Sequence, residues 1–73
     1  MAEGDQRAAE IARLAASTAE KLRGRLSGLR LELHAGGVVP CGTARTFYAK
    51  QLAQHAVMSG TDLPIARNEI EVL

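Results

Sequence analysis

Leu29-Arg30-Leu31-Glu32-Leu33-His34-Ala35-Gly36-Gly37-Val38-Val39-Pro40-Cys41 is the stretch where the chain changes period, and its reading decides the fold. Leucines at 29, 31 and 33 alternate with Arg30, Glu32 and His34, the two-residue repeat of a strand with one buried face, so the leucines are expected to point to the core. Ala35-Gly36-Gly37 supplies the positive-φ residues of a tight reversal, and Val38 to Cys41 reads as a returning strand, which makes a β-hairpin. Pro40 has no N–H to give to a ladder. Either it sits where its strand faces no partner, or the strand ends early.

On the amino-terminal side, Ile11, Leu14, Ala15, Thr18 and Leu22 recur at steps of three and four. They predict an amphipathic helix from about Asp5 to Arg25, with Gly24 or Gly28 as its stop signal. On the carboxy-terminal side Gly42 is expected to break the strand, and Thr46 can cap a second helix from about Phe47 to Ser59. Ala49, Leu52, Ala53, Ala56 and Val57 form its buried stripe. Lys50, Gln51, Gln54 and Met58 look outward, with Tyr48 and His55 at the boundary. Ser59 to Asp62 and Pro64 end this helix. Ile65 to Val72 then alternates as a last strand, with Ala66, Asn68, Ile70 and Val72 on one face and Arg67, Glu69 and Glu71 on the other. The order is α-β-β-α-β, an α+β fold in which both helices pack on one face of a small three-stranded mixed sheet.

With 73 residues the chain is one domain, 1–73, with no room for a second core. Its only aromatics are Phe47 and Tyr48, so the core is aliphatic and thin. Cys41 is the single cysteine, which rules out an internal disulfide and leaves a homo-oligomer open as a source of stability. The net charge of +1 exerts no global pull on nucleic acid or acidic lipid. The segment MAEGDQRAAE carries charges of both signs and no following apolar run, unlike an export signal, so a cytoplasmic location is expected, with peripheral membrane association open.

Read with this element order, Gly37-Val38-Val39, Gly42-Thr43, Tyr48-Ala49-Lys50-Gln51-Leu52-Ala53-Gln54 and Asn68-Glu69-Ile70-Glu71-Val72 resemble a BON domain. The resemblance implies a bacterial αββαβ module that associates with lipid or membrane. It also implies structural roles: Gly42 at the strand-to-helix corner, Val38 and Ile70 in the core, and Asn68 bonding neighbouring backbone in the last strand. Pro40, and the Ser59 to Pro64 loop, depart from the family pattern.

Residues that could carry chemistry are few. Cys41 with His34 or His55 lacks an orienting group and an oxyanion hole, and the three lack zinc-like spacing, so no catalytic residue, metal ligand or cofactor is assigned and no enzyme is expected. Glu69 and Glu71 read as a solvated strand face. No two glycines stand three apart, and no aromatic lies on a strand, which argues against an RNA-binding module; no nucleic-acid partner is expected. Lys21, Arg23, Arg25 and Arg30 form a basic run without an intervening acid, and are the candidate contacts to lipid or phosphate. No exposed aromatic pair is expected beside them. The function these readings support is reversible association with a phospholipid surface or a partner protein. The alternative is a protein-interaction or self-assembly module with no lipid role, in which an open sheet edge or the outward face of Val39 and Cys41 pairs with a second chain.

Overall fold

Val38 to Ala44 carries almost nothing that tolerates water, and it becomes the central strand. The computed structural model describes residues 2–73, and among them the chain forms two helices and one three-stranded sheet. The elements are α1 (Ala2–Lys21), β1 (Leu26–His34), β2 (Gly37–Ala44), α2 (Phe47–Gly60) and β3 (Glu69–Val72). The sheet order is β1-β2-β3, with β1 antiparallel and β3 parallel to β2. This is the expected α+β arrangement. α1 lies over β1, and α2 over β2 and β3, all on one face.

Two apolar clusters fill the space between helices and sheet. Leu22, Leu26, Ala44, Ala49, Ala53 and Ile70 form one end of the core. Ile11, Val38 and Val57 form the other, with Leu14, Leu31 and Ile65 against them. Alanines at 44, 49 and 53 let α2 sit close to the sheet, which is how a chain with two aromatics closes a core using neither of them.

The strand borders differ from the periodicity reading, each for a physical reason. β1 begins at Leu26, because a bulge between Ser27 and Arg30 sets Gly28 and Leu29 opposite Gly42. The extra residue returns Leu26 to the helix-facing side shared by Leu29 and Leu31, which strict alternation from Leu29 hides. Gly42 does not break the strand: at φ +151° it lies under the bulge, where a Cβ would stand 3.1 Å from the Ser27 carbonyl oxygen and 3.2 Å from the Leu29 Cα. Leu33, expected in the core, is 43% exposed next to the hairpin tip. α1 ends at Lys21, where a Leu22–Arg25 turn follows, closed by the Arg25 N–H donating to the Leu22 carbonyl at 2.9 Å.

The last strand is the clearest difference. Ile65 makes a single parallel bridge with Val38, and the ladder resumes only at Cys41–Glu69. Val38 donates to the Pro64 carbonyl and accepts from the Ala66 N–H, both at 2.9 Å. Backbone groups alternate sides along a strand, so the nitrogen of Pro40 faces this same side, and the gap in the ladder falls where proline has no hydrogen to donate. Asn68 occupies the gap: its Oδ1 accepts from the Ile70 N–H at 2.9 Å, and its Nδ2 donates to Gln54 Oε1 at 3.0 Å, tying the loop to α2.

Candidate functional site

α2 starts because Thr46, in extended conformation, turns its Oγ1 to accept from the Ala49 N–H at 3.0 Å. That cap sets the phase of the helix. Ala49, Ala53 and Val57 then fall on the sheet, and Phe47 and Tyr48, in the first turn but off that stripe, point to water, 61% and 63% exposed. Tyr48 is therefore not half covered, and an exposed aromatic pair exists after all. Phe47 continues along the outer side of α2 with Gln51 and His55, around a shallow depression of about 130 Å³ that Lys50 also lines.

The same end gathers cations from separate parts of the sequence. The Arg45 N–H donates to the Arg25 carbonyl at 2.9 Å, so the end of β2 lies against the turn that follows α1. Arg25 and Arg45 line a cleft of about 290 Å³ together with Ser27, Thr43 and the exposed Leu73. Among the described residues neither arginine, nor Lys21, forms an ion pair with a carboxylate, whereas Arg23 is paired with Glu20 at 2.5 Å. Arg30 is not part of this surface. It stands on the helix-free face of the sheet, paired with Glu32 at 3.1 Å. Three of the four residues of the basic run thus share an end of the molecule, and Arg45 joins them in place of Arg30.

The helix-free face has its own chemistry. Val39 and Cys41 point to it but are 0% and 5% exposed, so they offer no apolar surface to a second chain. Charged side chains flank them: Arg30, Glu32 and His34 from β1, with His34 Nε2 3.1 Å from Glu32 Oε1, and the Arg67–Glu69 pair, at 2.6 Å, from the other edge. The hydrogen bond from His34, and then that from Arg30, holds the Glu32 carboxyl below the usual carboxylate range. Burial, and then the Glu32 charge, pushes the Cys41 thiol up, while its Sγ lies 3.7 Å from the Val39 carbonyl oxygen and 3.9 Å from Glu69 Oε1. A thiol held protonated between carboxylates is the reverse of an activated nucleophile. Among the described residues no group of three His, Cys, Asp or Glu side chains is placed to hold a metal ion.

No family model, no curated protein and no solved structure matches the chain. The site must therefore be read from its own residues. Among the described residues no helix is long and apolar enough to cross a membrane. The surface that concentrates apolar and cationic groups is the end built from Arg25, Arg45, Phe47 and Tyr48. Sequence reasoning passed over three of these four, although a signal was present. Once Thr46 is taken as the cap, the stripe at 49, 53 and 57 leaves both aromatics outside the core.

Proposed function

We propose that the chain is a non-catalytic module of the BON type that docks reversibly on a phospholipid surface through the end formed by Arg25, Arg45, Phe47 and Tyr48. The observation that carries this reading is the exposed aromatic pair Phe47-Tyr48, separated from Arg45 only by the cap residue Thr46. Aromatic side chains settle at the boundary between headgroups and acyl chains, and each basic residue close to an acidic surface adds roughly 1 kcal/mol. Together they supply the two signals, apolar and electrostatic, that reversible peripheral binding uses. A net charge of +1 keeps the attraction local to this end, which would set the orientation of the docked domain.

Co-sedimentation with vesicles tests it. Binding to anionic vesicles is expected at low salt, reduced at high salt and weaker on neutral vesicles. Replacing Phe47 and Tyr48 together by alanine should lower partitioning about tenfold or more on both vesicle types, and Arg25→Glu with Arg45→Glu should remove the preference for anionic lipid. Absence of binding to anionic vesicles at low salt sinks the lipid reading, and leaves the same end as a protein-docking surface with no lipid role.

A further inference from the structure

Leu26 and Ala44 are core residues that face each other across β1 and β2, so the residues on either side of each turn away from the core. Arg25 and Ser27 therefore stand beside Arg45 and Thr43 on one side of the sheet, and all four line the cleft of about 290 Å³. Ser27 is the direct partner of Thr43. On the other side of Leu26 and Ala44 the Arg45 N–H donates to the Arg25 carbonyl at 2.9 Å, so arginine is set opposite arginine. Like charges directly opposite each other destabilise a sheet, and a neighbouring carboxylate would relieve them. Among the described residues Arg7, Arg23, Arg30 and Arg67 each hold a carboxylate, whereas Arg25 and Arg45 hold none. The hydroxyls of Ser27 and Thr43 likewise have no partner among the described residues, unlike those of Thr46 and Thr61, which accept from backbone N–H groups.

We propose that this cleft is a phosphomonoester site. The inference deepens the phospholipid reading, on which it rests for the source of the ligand, by naming the headgroup that the docking end selects. A phosphomonoester carries a charge of about −1.5 to −2 near neutrality and presents three terminal oxygens, whereas a phosphodiester carries a single charge on two. Two arginines match two charges, and one guanidinium can hold two oxygens of a phosphate through parallel N–H bonds. The Ser27 and Thr43 hydroxyls supply the further donors that a third oxygen requires. A diester leaves the charge of one of the two facing guanidiniums uncompensated.

Glu71 bounds the site on its far side. It is the β3 partner of Thr43, and it lines the neighbouring depression with Cys41 and Glu69 rather than this cleft. Its charge keeps an anion at the arginine end and off the middle of the sheet. It also fixes the sign of one variant: Glu71→Gln removes a repulsion that a dianion feels about twice as strongly as a monoanion.

Phosphatidylcholine vesicles carrying either phosphatidic acid or phosphatidylglycerol, matched in zeta potential, separate headgroup recognition from charge. The parent chain should partition onto phosphatidic acid about fivefold or more better, and Ser27→Ala combined with Thr43→Val should bind the two vesicles alike. Glu71→Gln should widen the parent's preference. A second arm uses soluble probes and reads the side-chain NMR signals of Arg25 and Arg45: millimolar glycerol phosphate, a monoester, should shift both, and dimethyl phosphate, a diester, should shift them much less. Equal partitioning of the parent onto the two vesicles overturns the inference and leaves the lipid reading standing. A preference that survives loss of both hydroxyls, a Glu71→Gln variant that binds phosphatidic acid less well, or no response to glycerol phosphate overturns it too. Absence of binding to either vesicle, together with a selective response to glycerol phosphate, supports the phosphomonoester site while removing lipid as its source.

Discussion

Two neighbouring glycines in the hairpin should respond oppositely to the same substitution. Gly37 has φ +134°, and a Cβ built on it would stand 2.2 Å from the Pro64 carbonyl oxygen and 3.0 Å from its carbon. That carbonyl accepts the Val38 N–H at 2.9 Å, the contact that joins β2 to the segment holding Leu63 and Ile65 against the core. Gly37→Ala therefore meets backbone, which cannot swing aside, and also forces a side chain into a region costing about 1–3 kcal/mol. Breaking the Val38 bond adds about 1 kcal/mol, so a loss of roughly 2–4 kcal/mol is expected. For a chain of 73 residues, whose total stability is on the order of 4–11 kcal/mol, this is a large fraction. Gly36 has no positive φ, and its added Cβ would meet only the Ala66 Cβ at an ordinary 3.6 Å. Gly36→Ala should be neutral, or stabilising by about 0.4–1 kcal/mol through the unfolded state. Thermal unfolding followed by circular dichroism at one fixed concentration separates them: the Gly37 variant should melt roughly 10–25 °C lower and the Gly36 variant unchanged or slightly higher. Equal melting temperatures for the two would refute the reasoning, because backbone entropy alone treats both glycines alike.

Thr46→Ala should cost about 1 kcal/mol by freeing the Ala49 N–H, and Thr46→Ser should restore most of it; a loss of the same size in both variants would mean that the methyl group, not the oxygen, matters. The thiol of Cys41 is held above its ordinary value in the folded state, so folding binds that proton more tightly than the unfolded chain does. Its contribution is full below the ordinary thiol range and is lost as pH rises through the raised folded value, so urea midpoints should fall on the alkaline side in the parent and fall less in Cys41→Ala. A parent and variant with parallel alkaline profiles would remove the thiol from the account.

The order of elements was legible because the chain changes period three times, at Leu29, near Thr46 and at Ile65, and because alternation and helical spacing are properties of neighbouring residues. What stayed hidden depends on residues far apart. The bulge opposite Gly42 needs both strands to be seen together, and it alone explains why Leu26 is inside. Ile65 and Ile70 are both core residues, but five positions apart they fit no two-residue repeat; the mismatch is the gap opposite Pro40, bridged by Asn68. The basic run from Lys21 to Arg30 was visible as composition, yet a strand begins inside it, and the chain turns Arg30 to the other face. Arg45 reaches Arg25 only through the hairpin, so no local window contains the cationic end.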